Sequence, residues 1–437
     1  MSTRLSKTVT IPELAELIDL HLSDSDTDIK NPSWRVLDSS ISGRGIFAVR
    51  DIKESEIIFR ERALLAGPTA HKNSKLNTCC VCYCQLTGND TDILCKLGCS
   101  MPVCENCSIS ERHSRECETF RRWKPKDLSK VNPHSLRIVT VMRCIFLNEE
   151  ERKLLISLQA NSDKYYRVEV QRAADCFQCF PKQPEMLEWF YRTICVLNTN
   201  AFEGRSNVGN HEVFVRALFP LAGLMNHRCV PNATHSFENG ETIIVRAARA
   251  IARGEEIVTT YAHILWSNLA RKIFLGLTKH FMCQCQRCLD PTENGTYLAA
   301  LLCREPKCKG LVLPIQTKTL QPDWHCLTCN TIFPHAKMAR YQDFALNTIN
   351  NRINTSSVSD MITFINEMCP KFCPPSNYVL VEAKLNVIWR MSRFNKDEYT
   401  EEQKQHRDRY RVEILEILKK LGAGDCTLRK LIMEEIQ

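Results

Sequence analysis

No run of apolar residues in this chain approaches the roughly 18 needed to cross a bilayer, and the opening MSTRLSKTVTIPELAELIDL lacks the apolar stretch of a secretory signal. The expectation is therefore neither a membrane protein nor a secreted disulfide scaffold. A strong excess of one charge is missing as well. The 437 residues hold 58 Lys+Arg against 50 Asp+Glu, a formal charge of +8. That balance is too even to mark a sequence-specific nucleic-acid binder and is compatible with weak attraction to acidic partners. No internal repeat is clear. With 44% hydrophobic and 25% charged residues, the composition is that of a globular chain long enough for two or three domains with real cores.

What is plentiful is cysteine, 24 in all. In a reducing compartment, thiols clustered at such short intervals are zinc ligands more often than disulfides. The expectation is a soluble protein of the cytoplasm and/or nucleus. Between residues 79 and 117 stand Cys79-x2-Cys82, Cys95-x3-Cys99, Cys104-x2-Cys107 and His113-x3-Cys117. Seven Cys and one His make two complete four-ligand sites, with Cys80 and Cys84 as neighbours that could compete for the first. A segment so short has little apolar material, so metal binding should supply its folding energy. Later, Cys303-x4-Cys308 and Cys326-x2-Cys329 read as a zinc ribbon, two knuckles sharing one metal. Cys176-x2-Cys179 has no second pair nearby and is taken as a packing element.

In chain order, Ile11, Leu14, Leu17, Ile18, Leu20 and Leu22 form one short amphipathic pattern before the polar run SDSDTD. This reads as a frayed helix and solvated linker, a flexible segment over 1–32. From Trp34 to Phe59 short alternating runs broken at Ser42-Gly43-Arg44-Gly45 and Lys53-Glu54-Ser55-Glu56 read as a β-meander. Two glycines one residue apart let a backbone turn sharply and approach a ligand. Residues 120–215 read mainly helical. From His335 onward helices are expected near 335–352, 357–368, 377–393, 399–420 and 425–436, broken at Pro370 and Pro374-Pro375.

The motifs in order carry a resemblance. "SGRGIFAVRDIKESEIIFRE", then Asn226-His227-Arg228-Cys229-Val230-Pro231-Asn232, then "GEEIVTT" running into Tyr261, then Phe281-x-Cys283-x-Cys285-x2-Cys288 resemble the SET domain of protein lysine methyltransferases. The interrupting Cys/His segment resembles a MYND finger, and the arrangement as a whole resembles the Smyd (SET and MYND) family, its arthropod branch in particular. The resemblance implies an α+β fold: a β-rich SET domain with a pseudoknot, an inserted MYND finger, a post-SET zinc site, a ribbon-like segment and an α-helical C-terminal domain. The corresponding divisions are 33–78 for the first part of SET, 79–117 for MYND, 118–215 for a helical insert and 216–265 for the SET core. The post-SET region then covers 266–295, the ribbon 296–334 and the helical domain 335–437.

The resemblance further implies S-adenosylmethionine-dependent methylation of lysine in a histone or non-histone protein. Tyr261 is the implied catalytic residue, and Gly43, Arg44, Gly45, Asn200, Asn226, His227, Tyr261 and Phe281 the implied cofactor-binding residues. The crossed MYND pairing puts Cys79, Cys82, Cys104 and Cys107 on one zinc, and Cys95, Cys99, His113 and Cys117 on another. The post-SET pattern joins Cys229 to Cys283, Cys285 and Cys288, and Cys303, Cys308, Cys326 and Cys329 bring the structural zincs to as many as four. Methyl transfer to lysine needs a neutral amine and close positioning, which a narrow channel and an oriented phenol suit. Two points stay open. The His227 ring could be an ordinary core histidine, and Arg228, where the family has Ser, could point outward or disturb a cationic cofactor. The alternative function is a non-catalytic adaptor whose MYND finger grips proline-rich partners. Sequence-specific DNA binding is disfavoured, since cross-braced fingers lack an exposed base-reading helix.

Overall fold

The computed structural model describes residues 9–23, 31–69, 78–86, 93–126, 136–162, 164–208, 211–393 and 399–434. Residues 24–28 of the polar run and 435–436 of the last expected helix lie outside them. The described chain opens on α1 (Ile11–Leu22), where Thr10 and Glu13 cap each other reciprocally. Leu14, Leu17, Ile18 and Leu22 are buried in the main core. The frayed helix expected here is thus corrected: the apolar stripe has a surface to pack on, supplied by distant segments that local sequence does not announce.

β1 (Trp34–Asp38) and β2 (Arg44–Ala48) pair antiparallel, with Val36 opposite Ile46. The expected meander ends there. β3 (Ile57–Arg62) leaves for another sheet, and β4 (Leu65–Pro68) for a third. The cysteine-rich insert follows with α2 (Glu105–Ser108) and α3 (Glu111–Arg122). Next come α4 (Leu136–Met142), α5 (Glu149–Ser157), α6 (Lys164–Asp175) and α7 (Pro184–Asn200). α1 packs on α5 and β1.

Helix does not continue to residue 215 as expected. β5 (Phe202–Val208) and β6 (His211–Leu218) form an antiparallel hairpin, with β4 on the free edge of β6. Phe214 and Val215 suit an extended chain on a pleated surface, and β4, about 150 positions earlier in sequence, supplies the edge on which Val215 pairs with Pro68. β7 (Asn226–His227), β8 (Ala233–Glu238), β9 (Thr242–Ala247) and β10 (Glu256–Thr259) complete the two central sheets, ordered β1-β2-β10-β7 and β3-β9-β8.

α8 (Asn268–Lys279) and α9 (Gln286–Leu289) lead to a small sheet of β11 (Leu301–Leu302), β12 (Leu311–Pro314), β13 (Trp324–Cys326) and β14 (Ile332–Phe333). The tail is helical, as α10 (His335–Thr355), α11 (Val358–Thr363), α12 (Tyr378–Arg393), α13 (Glu401–Leu421) and α14 (Thr427–Glu434). Each lies close to its expected span. The tail shares a core with the small sheet, in which Trp324, Val387 and Ile414 are fully buried. It also returns to the segments beside β3 and β9. Asp425 N–H donates to Ala248 O at 2.6 Å, and the Asp425 carboxylate accepts from Ser55 Oγ at 2.5 Å. A Cβ on Gly424 would stand 2.0 Å from that same carbonyl, so glycine is required where the tail docks.

One buried arginine pins three segments together. Arg143 grips Glu116 of α3 through Nε at 2.7 Å and Nη2 at 3.1 Å, and donates to Ala66 O of β4 at 2.5 Å and Cys80 O at 2.8 Å. Both partners of the ion pair are about 5% exposed. Breaking a buried pair from one side strands the other charge, at a cost of about 3–5 kcal/mol. Arg143→Met is therefore expected to lower the free energy of unfolding, measured by urea titration, by that amount, whereas the exposed pair Arg122–Glu118 should show under about 1 kcal/mol on mutation. Equal effects would refute the pinning role.

Candidate active site

The turn between β1 and β2 sits at the mouth of the site. Gly43 takes φ +54°, with open space where a Cβ would be. Gly45 is small for a different reason: a Cβ there would stand 2.3 Å from Glu256 Oε1. That carboxylate, rather than a ligand, fills the space, and Gly45 is not among the residues lining the cleft. Glu256 also accepts from Ser39 Oγ at 2.8 and 2.9 Å.

Asn226 closes the arrangement from the other half of the chain. Its Nδ2 donates to Arg44 O at 3.1 Å, to Glu256 Oε1 at 2.7 Å and, more weakly, to Ser42 O at 3.3 Å. With the amine side so engaged, Oδ1 is the acceptor this amide offers to the cleft it lines. β7 lies parallel to β10, with Asn226 opposite Val258 and His227 opposite Thr259. Asn232 stitches the crossing: its Oδ1 accepts from Val258 N–H at 2.7 Å and its Nδ2 donates to Glu256 O at 2.8 Å. Glu61 holds the approach, accepting from Leu221 and Ala222 N–H at 2.8 Å each, and His21 of α1 stands 3.4 Å from the same carboxylate. The roles of Glu61, Asn232 and Glu256 went unassigned at the level of sequence, since each acts through partners far along the chain.

Tyr261 emerges from β10 beside this crossing. Its hydroxyl donates to Met225 O at 2.7 Å, and its backbone N–H donates to His227 Nδ1 at 2.9 Å. His227 therefore carries its proton on Nε2, 3.3 Å from Cys229 Sγ. Burial, aided by Arg271 and Arg287 against Cys285, pulls the imidazole down to about 4, so the ring is neutral. Its aromatic neighbours are Tyr261 at 5.2 Å and Phe281 at 5.8 Å between ring centres. Burial, and after it the Glu256 carboxylate, push the Tyr261 phenol well above its usual range. It remains a hydroxyl.

The thiols of Cys229, Cys283, Cys285 and Cys288 lie within 4.8 Å of one another. Around them is a buried cationic shell. Arg271 reaches Cys288 Sγ at 3.5 Å and Glu293 at 2.6 Å, and Arg287 donates to Cys229 O at 3.1 Å and to Glu293 at 3.1 Å. Two guanidiniums and one carboxylate suit a four-thiolate zinc site, whose net charge is −2. The same 4.8 Å convergence holds for Cys79, Cys82, Cys104 and Cys107; for Cys95, Cys99, His113 and Cys117; and for Cys303, Cys308, Cys326 and Cys329. Four-sulfur and three-sulfur, one-nitrogen sets are the chemistry zinc selects. Cys84 flanks Cys82 and Cys104 without joining the set, and Cys80 is buried beside it. Cys176 is buried and Cys179 exposed, so only the first of that pair packs in the core.

The cleft has a volume of about 2430 Å³. Gly43, Arg44, Asn200, Asn226, His227, Tyr261 and Phe281 all line it. Two of them also do structural work, Arg44 donating to Ser157 O at 2.7 Å and Asn200 donating to Gln159 O and Val196 O at the end of α7. Arg228 lies at the rim, exposed. Residues 43–262, half the chain, match the SET domain family. The chain belongs to the SET-domain family. It is 63% identical over its whole length to the SET domain-containing protein SmydA-8, isoform B, of Drosophila melanogaster, covering 97% of that protein, which places it in the Smyd branch. It is also 27% identical over 59% of its length to the human histone-lysine N-methyltransferase SMYD3, covering 61% of it. A solved SET domain of LSMT bound to methyl-lysine and AdoHcy spans 98% of the chain and 91% of its own at 12% identity and a TM-score of 0.38.

Within this SET cleft the donor set fits S-adenosylmethionine. An amide oxygen at Asn226 can accept from an α-ammonium, the open turn at Gly43 leaves backbone within reach, and Phe281 offers a ring face for an adenine. Among the described residues no helix is long and apolar enough to cross a membrane.

Proposed function

We propose that the chain is an S-adenosylmethionine-dependent protein-lysine N-methyltransferase, acting on a histone or non-histone protein, with Tyr261 at the reacting centre. The observation that supports this most directly is the Asn226 amide. One side chain joins the Gly43–Arg44 turn to the strand that delivers Tyr261, and all of them face one cleft. Asn226, the turn and Phe281 would hold the cofactor, which when bound supplies an electrophilic methyl group.

The chain's own residues do the rest. The Tyr261 hydroxyl donates its hydrogen bond to Met225 O, which leaves the phenol lone pairs to receive an amine N–H and aim the nitrogen lone pair. The imidazole of His227 anchors the Tyr261 backbone. Where the rings of His227, Tyr261 and Phe281 meet, burial of the incoming side chain would favour the neutral, nucleophilic amine over the ammonium. The post-SET thiols fix Phe281 over the site. Reduced thiols and zinc loading fit a cytoplasmic and/or nuclear location. The purified, zinc-loaded chain should bind S-adenosylmethionine and pass labelled methyl to lysine in a protein extract. Donor binding without any labelling would sink the catalytic reading.

A second role is favoured by the finger-like insert, where Ile109 is 85% and Leu97 59% exposed. As a MYND finger it would dock proline-rich segments, and titration with a proline-rich peptide should shift the signals of those two residues.

A further inference from the structure

The cleft holds a cation of its own. Lys279, the last residue of α8, lines the cleft with Tyr261 and Phe281 and is the lysine among its described lining residues. Its ammonium lies 5.5 Å from the centre of the Tyr261 ring and donates to Thr199 O at 2.9 Å. Among the described residues no carboxylate pairs with it. The nearby Glu203 is paired with Arg216, at 3.2 Å. Burial, and next Arg216, pull the Lys279 amine below its ordinary range, with Glu203 opposing. The side chain is only half-buried, and it stays in place through one hydrogen bond to a carbonyl and the face of a ring.

We infer that Lys279 is a specificity-determining residue, a resident ammonium beside Tyr261 that makes the cleft favour a neutral occupant over a cationic one. The inference rests on the methyltransferase reading, because that reading supplies the two occupants to compare. A sulfonium donor carries a positive charge where its sulfide product carries none, and the two are otherwise nearly the same shape. A cation lining the same cleft acts on one and not on the other. In a partly buried site such a pair of charges shifts an equilibrium by roughly tenfold. The substrate lysine meets the same obstacle. It must displace Lys279 or enter as the neutral amine, so the residue filters both the donor and the acceptor by charge.

Arg228 provides the contrast. It is a cation at the rim of the same cleft, but exposed, where water and salt screen it.

The test is calorimetry of the zinc-loaded full chain with S-adenosylmethionine and, separately, S-adenosylhomocysteine. The unaltered chain should bind the sulfide more tightly than the sulfonium. In Lys279→Met the ratio of the two affinities should move about tenfold toward the sulfonium, with sulfide binding changed by less than about twofold. Lys279→Arg keeps the charge and should keep the ratio, as should Arg228→Ser. Zinc content and melting temperature check that each variant is folded. If both affinities move together in Lys279→Met, Lys279 is a packing residue and the inference is overturned, as it is if neither moves. If the unaltered chain binds neither compound, the methyltransferase reading fails first and the inference falls with it.

Discussion

Replacing Tyr261 by Phe should lower lysine methylation by roughly 10²–10³-fold, the range seen when one positioned hydrogen-bonding group is removed from a reacting centre, while donor affinity stays within about twofold. The ring itself is held by contacts that Phe preserves: His227 lies 5.2 Å and Phe281 6.4 Å from its centre. What disappears is the hydroxyl that donates to Met225 O and presents its lone pairs to the cleft. Losing that donor leaves the carbonyl short of a partner, which costs on the order of 1–3 kcal/mol of stability, so the melting temperature should fall slightly. Rates with saturating donor, measured beside calorimetric affinities, separate the two effects. A variant that retains more than about a tenth of the rate would show that the phenol oxygen does not do this work.

Cys229→Ala should be more damaging, for it acts on two structures at once. Cys229 lies two residues past His227, and its sulfur lies 3.4 Å from Cys288 Sγ and 3.8 Å from Cys283 Sγ. Zinc content by elemental mass spectrometry should drop from four to three per chain. With the metal gone, residues 283–288 keep the Arg287 hydrogen bond to Cys229 O but lose the sulfur cluster, so Phe281 is held less firmly and methylation falls to background. The two buried guanidiniums of Arg271 and Arg287 would also lose the anionic cluster they face, and would keep Glu293 as their shared partner. Cys303→Ala is the informative control. It should also remove one zinc, but from the small sheet, whose core belongs with the C-terminal helices, and should leave donor affinity near that of the unaltered chain. If Cys229→Ala retains donor binding, the clamp is not part of the site.

The parts of this molecule that could be read in advance are those whose partners lie close in sequence or whose chemistry is stereotyped. Cysteine pairs a few residues apart announce metal sites, and the long tail helices follow from their apolar periodicity and from Pro370 and Pro374. Asn226, His227 and Tyr261 stood out because they fall in ordered motifs. Lys279 did not, because a lysine at the end of an amphipathic helix looks like any solvated charge until the fold turns it toward a ring. Gly45 looked like a ligand contact, yet the carboxylate that needs its space is 211 positions further along the chain. The docking of α1 was missed for the same reason. Its stripe was visible, but the surface that receives it is assembled from β1 and α5.

The bond from Asn226 to Arg44 O spans 182 positions, and that has a consequence for biosynthesis. At about 5–20 residues per second, a ribosome needs on the order of 10–40 s after Arg44 to deliver the amide that completes the cleft. During that interval β2 has an open edge awaiting β10, whereas the cysteine-rich insert can already take up its metals. The nascent first half should therefore be a client for chaperones that shield strand edges, and an N-terminal fragment ending before Asn226 should aggregate even when its two zinc sites are filled.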